Sequence, residues 1–232
     1  IDIEAGLLGC ESCSLAWGDY DGDADLDLAI AGYNGQNGIS IFTIYKNEDG
    51  SFTDIEAGFP GFQNCSLAWG DYDGDGDLDL AIAGSSTSGA TSSIYRNDGG
   101  SFNEHGAGLQ RVTNASLAWG DYDGDGDLDL ALCGGQGGWN RVSMIYKNDA
   151  GTFTDIGAGL LGASEGSLAW GDYDGDGDLD LAISGYSHGS YRGITKIYNN
   201  SEGSFTDIGG DLEGAWNGSL AWGDCDGDGD LD

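Results

Sequence analysis

Asp71-Tyr72-Asp73-Gly74-Asp75-Gly76-Asp77-Leu78-Asp79 leads directly into Leu80-Ala81-Ile82-Ala83, and Ser66-Leu67-Ala68-Trp69-Gly70 precedes it. Five carboxylates within nine residues repel one another strongly unless a cation neutralises them. The apolar segments on either side have the length of β-strands, and neither carries a 3.6-residue period. In the equivalent segments nearer the N-terminus, Leu15 and Trp17 fall on one face with Ser14, Ala16 and Gly18 on the other. Leu28 and Ile30 likewise oppose Ala29 and Ala31. An acidic loop joining two strands, bulky on one face and small on the other, is the unit to be explained.

The unit recurs. Ser-Leu-Ala-Trp-Gly-Asp begins at Ser14, Ser66, Ser116, Ser167 and Ser219, at spacings of 52, 50, 51 and 52 residues. After each acidic loop and second strand come a variable glycine-rich loop and a third apolar segment. That segment ends in Ile44-Tyr45-Lys46-Asn47, Ile94-Tyr95-Arg96-Asn97, Ile145-Tyr146-Lys147-Asn148 or Ile197-Tyr198-Asn199-Asn200. A glycine-containing turn and a short segment such as Ser51-Phe52-Thr53-Asp54 close the repeat. Residues 1–232 therefore read as one tandem-repeat region, with repeats at 2–53, 54–103, 104–154 and 155–206 and a partial repeat at 207–232.

One four-stranded sheet cannot bury both its faces, whereas stacked sheets can, each setting its large side chains against its neighbour's small ones. The expected fold is all-β, a β-propeller of four-stranded antiparallel blades with about four and a half blades in this chain. A period near 51 suits propeller blades better than the shorter coils of the rival open array or β-solenoid. The chain opens on Asp2-Ile3-Glu4-Ala5-Gly6, which matches Asp54-Ile55-Glu56-Ala57-Gly58, and stops at Asp232 within a fifth acidic loop. This leads to the expectation of further blades outside the chain, or of self-association with a neighbouring copy.

The acidic loops comprise Asp19, Asp21, Asp23, Asp25 and Asp27; Asp71, Asp73, Asp75, Asp77 and Asp79; Asp121, Asp123, Asp125, Asp127 and Asp129; Asp172, Asp174, Asp176, Asp178 and Asp180; and Asp224, Asp226, Asp228, Asp230 and Asp232. They hold 25 of the 41 acidic residues. Hard oxygen donors on a flexible loop select calcium, which takes six to eight oxygens, over the smaller, strictly octahedral magnesium. Positions one, three, five and nine are expected to offer side-chain oxygens, and position seven its backbone carbonyl. An EF-hand is excluded, because it needs a glutamate at position twelve and flanking helices. Position twelve here is Ile30, Ile82, Leu132 or Ile183. Up to five calcium sites are expected, one per repeat.

At these residues the chain resembles the FG-GAP and VCBS repeats of integrin-like β-propellers and of large bacterial surface proteins. The Trp-Gly-Asp-Tyr lead-in and the Ile-Tyr-Lys-Asn segment are similar to bacterial VCBS-type repeats in particular. The resemblance spans all five units and implies calcium held in the first hairpin of each blade. Two residues depart from the pattern: Ala24 stands where the other loops have glycine, and Cys225 where they have tyrosine.

Successive connections in an up-and-down blade alternate between its ends. The acidic loop therefore shares an end with the turn between strands three and four. The loops at 33–38, 85–91, 135–140 and 186–193 lie at the other end, with the crossings at 7–12, 59–64, 109–114, 160–165 and 212–217. These segments differ from repeat to repeat, and variable loops on a rigid frame carry specificity. Their aromatic residues, Tyr33, Phe59, Phe62, Trp139, Tyr186, Tyr191 and Trp216, either stack on sugar rings, anchor a protein partner or cap the core. The recurring Trp17, Trp69, Trp119, Trp170 and Trp222 read as core.

The formal charge of −34 disfavours nucleic acid and anionic membrane as partners, and no apolar run is long enough for membrane insertion. His105 and His188 are isolated, no nucleophile pattern recurs, and carboxylates this abundant discriminate nothing, so no enzyme is expected. The expected function is an extracellular or cell-surface calcium-binding module for adhesion or for binding a glycan or extracellular protein. The alternatives are a calcium-stabilised stalk or filament and the propeller part of a secreted polysaccharide-active enzyme. Five cysteines form no disulfide framework: Cys10 and Cys13 make a lone C-x-x-C, and Cys133 reads as a small buried residue. Asn64, Asn114, Asn199 and Asn217 satisfy Asn-x-Ser/Thr, three of them at the same place in their repeats.

Overall fold

The computed structural model describes residues 5–187, 193–210, 212–227 and 229–231. The described residues contain no helix and sixteen strands, which form four consecutive antiparallel four-stranded sheets, the first two joined by one bridge into an eight-stranded sheet. The first sheet consists of β1 (Glu11–Gly18), β2 (Asp27–Asn34), β3 (Ile39–Glu48) and β4 (Ser51–Asp54). The second consists of β5 (Phe62–Gly70), β6 (Asp79–Ser86), β7 (Gly89–Asp98) and β8 (Ser101–His105). The third holds β9 (Thr113–Gly120), β10 (Asp129–Gly135), β11 (Arg141–Asp149) and β12 (Thr152–Asp155), and the fourth β13 (Ser164–Gly171), β14 (Asp180–Tyr186), β15 (Gly193–Ser201) and β16 (Ser204–Asp207). Each sheet is a meander whose strands pair in chain order, as expected for propeller blades.

The chain divides into two compact units, 1–113 and 114–232. In the first, the sheets touch edge to edge at a single bridge, Ile41↔Phe62, and otherwise pack face to face. The large-against-small rule governs that packing. Trp69 of β5 lies on Gly18 of β1, where an added Cβ would stand 2.7 Å from the indole, and its Nε1 donates to the Ala16 carbonyl at 3.1 Å. The second unit repeats the arrangement. Trp170 covers Gly120 and donates to Ala118, and Trp222 covers Gly171 and donates to Ala169, both at 3.1 Å. Glycine at these three positions is required by the approach of the next indole, not by backbone conformation.

Each of these tryptophans also stacks on the tyrosine at position two of the preceding acidic loop. The pairs are Tyr20–Trp69, Tyr122–Trp170 and Tyr173–Trp222, with ring centroids 6.3–6.4 Å apart. Trp17 departs from the core reading: it is 54% exposed, and its ring meets Phe52 of its own sheet edge to face. Phe62 is corrected in the opposite sense. It is fully buried and edge-on to Phe42, so it is core and not part of a ligand face. The bridge to Ile41 turns that residue of the crossing inward.

Just before each Ser-Leu-Ala-Trp block, one residue adopts left-handed backbone. These are Ser12, Asn64, Asn114, Glu165 and Asn217, with φ between 48° and 55°. Register shifts mark the same place in β1, β5 and β13. Asparagine tolerates this conformation better than most residues, which accounts for its recurrence there.

Candidate metal centres in the acidic loops

Every carboxylate in the loop has a definable task. Position one caps the loop: Asp71 Oδ1 accepts the Asp75 amide at 3.1 Å and Oδ2 the Gly76 amide at 3.0 Å. Asp19, Asp121 and Asp172 do the same, and Asp224 accepts from Gly227 and Gly229. Position nine begins the second strand. Asp79 Oδ2 accepts the Tyr72 amide at 3.1 Å, and Oδ1 accepts the Asn97 amide at 2.8 Å. Asp27, Asp129 and Asp180 make the equivalent pairs, and all four carboxylates are fully buried.

Position seven reaches the turn between strands three and four. Asp25, Asp77, Asp127 and Asp178 accept the amides of Asp49, Gly99, Ala150 and Glu202 at 2.8–3.1 Å. This places the acidic loop and that turn at the same end of each sheet. It also occupies the position-seven side chain, leaving its carbonyl as the group expected to face an ion.

In each of the four sheets, positions one, three and nine come together. Carboxylate oxygens of Asp19, Asp21 and Asp27 lie within 4.8 Å of one another, as do those of Asp71, Asp73 and Asp79, of Asp121, Asp123 and Asp129, and of Asp172, Asp174 and Asp180. Two unit charges 4 Å apart repel by about 4 kcal/mol at an effective dielectric of 20. Burial pushes the position-nine carboxyl upward, to about 7 at Asp79 and about 6 at Asp129, against the two amides that hold it down. Asp27 and Asp180 shift the same way for the same reason. Asp21 Oδ1 is buried without a hydrogen-bond partner. Converging hard oxygens, one of them orphaned, fit a divalent cation, and each cluster could hold a metal ion.

Position five stands apart, and here the sequence reading missed a participant. Lys46 lies 2.6 Å from Asp21 and 3.3 Å from Asp23. Arg96 lies 3.1 Å from Asp73 and 2.9 Å from Asp75, and Lys147 pairs with Asp123 and Asp125. The first cause holding Asp23 and Asp75 below the usual carboxylate range is a backbone amide, that of Asp25 or Asp77; for Asp125 it is the Lys147 ammonium. The fourth repeat has no basic residue there, and Asn199 Nδ2 donates to Asp174 at 2.7 Å.

The asparagine one residue later was also missed. Asn97 Nδ2 donates to Leu78 O at 3.1 Å and to Tyr20 O of the preceding acidic loop at 2.8 Å, while its Oδ1 accepts from Gly100. Asn200 links to Tyr122 O in the same way. Both are fully buried, and they tie successive loops together within each unit.

Among the other expected site residues, Asp228, Asp232 and Tyr191 lie outside the described residues, as does His188. Asp226 and Asp230 belong to the fifth loop, and none of the four clusters includes them. Trp139 and Trp216 are exposed by 66% and 48%, while Tyr33 and Tyr186 are half-buried. Phe59 stacks on Phe42 with centroids 4.1 Å apart, and so caps the core. Cys133 is fully buried, as expected of a small core residue, and all five cysteines are free thiols. No helix among the described residues is long and apolar enough to cross a membrane.

Meandering four-stranded sheets, stacked through tryptophan and each carrying an aspartate-rich loop at its first hairpin, define a class of tandem-repeat β proteins. The FG-GAP-like repeat profile matches residues 19–82, 71–132 and 121–183, three consecutive overlapping stretches. The chain belongs to the FG-GAP-like repeat family. No curated protein matches it.

Proposed function

We propose that this chain is an extracellular, non-catalytic β-propeller module. In this reading calcium ions rigidify one end of each blade, and the variable loops at the other end bind a glycan or protein ligand. The observation that carries the reading is the convergence of positions one, three and nine in all four sheets, with the position-nine carboxylate buried. The side chains of Asp71, Asp73 and Asp79 and their counterparts would hold the ion, which supplies the positive charge the cluster lacks. Family membership supports the extracellular placement, where calcium is abundant.

The supporting experiment is a set of thermal melts in chelator, calcium and magnesium. A site occupied at 100 times its dissociation constant contributes about 2.7 kcal/mol, so four sites make calcium strongly stabilising. Magnesium should substitute poorly. Superimposable curves in the three buffers would remove the calcium reading.

A further inference from the structure

The repeats provide an internal control, since what recurs is what the fold requires. In the second unit, three departures from the repeat meet at the variable end. Arg141 begins β11 opposite Gly135. The same register position is Ser40 in the first sheet, Ala90 in the second and Gly193 in the fourth. No sheet needs a basic residue there. Trp216 follows Ala215, which bridges Ile194 as Ala163 bridges Val142 and Phe62 bridges Ile41. The residues corresponding to Trp216 in the second and fourth sheets are Gln63 and Ser164. Trp139 lies in the loop between β10 and β11.

These residues are organised around the guanidinium. The Arg141 Cζ stands 4.5 Å from the centre of the Tyr186 ring and 6.0 Å from that of Trp139. Trp216 meets Tyr186 edge to face at 6.4 Å, supporting the ring on which the guanidinium rests. A groove of about 430 Å³ opens beside it, lined by Trp139, Asn140, Arg141, Leu161, Gly162 and Ser187. That volume is in the range of small-ligand sites.

The decisive feature is what Arg141 lacks. Its Nε and Nη1 are shielded from water and have no hydrogen-bond partner. The chain has 41 acidic residues, and Lys46, Arg96, Lys147 and Lys196 are each paired with aspartate. Among the described residues no carboxylate is placed against Arg141. A guanidinium standing over an aromatic ring, with two of its nitrogen donors unmet, is arranged for an acceptor from outside.

We propose that this groove binds a carboxylate-bearing sugar, a uronate or sialate residue of a glycan. The sugar's carboxylate pairs with Arg141, and its C–H face lies on Trp139. Asn140 and Ser187 also line the groove, with Ser187 buried and the Asn140 amide nitrogen donating to Gln136 Oε1. Trp139, two-thirds exposed on its loop, is the side chain that shifts onto the ring and uncovers the guanidinium edge. A sugar fits better than an acidic peptide because the groove offers ring faces and scattered polar groups, with Leu161 its one aliphatic side chain and no deep apolar socket. The inference rests on the reading that the variable loops are the ligand-binding end.

The test is titration of the calcium-loaded protein with a hyaluronan tetrasaccharide and with 3′-sialyllactose. Controls are the carboxyl-reduced tetrasaccharide, lactose and a hexaglutamate peptide. Heat and tryptophan fluorescence are both followed. The expected result is saturable binding of at least one acidic glycan, weakened at least 10-fold by loss of its carboxylate and similarly by Arg141→Gln or Trp139→Ala. Melting temperature and calcium stoichiometry should not change in either variant. Equal binding of acidic and neutral sugars overturns the carboxylate assignment while leaving the variable end as a glycan site. Equal binding of hexaglutamate overturns the sugar assignment. Binding of neither acidic glycan overturns the inference but leaves the calcium melts untouched. Because the carboxyl-reduced control uses the unmodified protein, the test survives a variant that fails to fold.

Discussion

Asp129→Asn separates the two tasks of the position-nine carboxylate. Asp129 is fully buried, accepts the Tyr122 and Asn148 amides, and lies within 4.8 Å of the Asp121 and Asp123 oxygens. Burial raises it to about 6 from an ordinary value near 3.9. At pH 7 its charge therefore costs the metal-free fold about 3 kcal/mol, at about 1.4 kcal/mol per pH unit. Asparagine removes that cost, but its amide nitrogen cannot accept, so one of the two backbone donors is left unmet at about 1–3 kcal/mol. In chelator the two effects leave the variant level with the parent or up to about 2 kcal/mol more stable, so it should melt between the parent's temperature and about 8 °C above it, given about 2–4 °C per kcal/mol at this chain length. In saturating calcium the parent gains about 2.7 kcal/mol from that site at 100 times its dissociation constant, and the variant loses most of it. Calcium should therefore raise the parent's melting temperature by about 5–10 °C more than the variant's. Paired melts by circular dichroism in chelator and in calcium measure both numbers. The same gap in both buffers would make Asp129 a structural anchor alone, and the metal assignment of the cluster would fall with it.

Three further outcomes follow from the same loops. Asn199→Lys should weaken calcium binding at the fourth site about fivefold, and Lys147→Asn should tighten the third by a similar factor, since each exchanges about 1 kcal/mol of partly exposed charge pairing; calorimetric titration that finds neither site altered would exclude the basic side chain as a competitor. Ala24 holds φ at 75°, where Gly76, Gly126 and Gly177 hold 96–98°. Ala24→Gly should therefore stabilise the protein by about 1 kcal/mol, less the entropy glycine costs in the unfolded chain, and a lower melting temperature would refute this. In chelator, stability should fall as pH rises from about 4 to about 7. The folded Asp79 holds its proton up to about 7, so the folded state binds more protons than the unfolded one across that window, and stability is lost as they leave. A chelator-treated protein that gains stability from pH 5 to pH 7 would contradict the burial argument.

The repeat, its four strands and the common end of the acidic loop and the following turn were legible in the sequence because each depends on local pattern repeated at a fixed period, whereas strand pairing extends two or three residues into the segments 59–64 and 85–91 that read as loops. What escaped depends on register. Lys46 and Asn47 read as the end of an apolar strand. Only the pairing of Leu28 with Tyr45 brings them beside a loop about twenty residues earlier. The link from Asn97 to Tyr20 spans 77 positions and has no local signature at all. Phe62 was misplaced because a crossing resembles an exposed loop in sequence, whereas here it joins the sheet edge by one bridge and turns its ring inward. Arg141 has no signal in the sequence, because a single arginine at the edge of a variable loop forms no pattern. Its significance appears only against Ser40, Ala90 and Gly193 at the same register position.

The two ends of each sheet answer to different physical demands. At the acidic end, position one closes its own loop, position seven holds the neighbouring turn, and position nine anchors the asparagine that reaches the previous loop. A carboxylate lost there disturbs several backbone groups at once, so the motif is constrained independently of any ion. A cation bound by positions one, three and nine would tighten the same network, and its effect would pass from loop to loop through Asn97 and Asn200 within their units. At the other end the described side chains bond within their own turns, as Ser86 does with Ser88 and Thr91, and no aspartate-rich loop recurs there. The strands end in turns of differing length, and the side chains there need only leave the bridges Ile41↔Phe62, Val142↔Ala163 and Ile194↔Ala215 intact. That freedom lets an arginine stand among aromatic rings without an acceptor of its own. Rigidity at the acidic end is what allows such a group to keep its position, because a guanidinium with unmet donors on a loose frame would turn toward the nearest of 41 carboxylates.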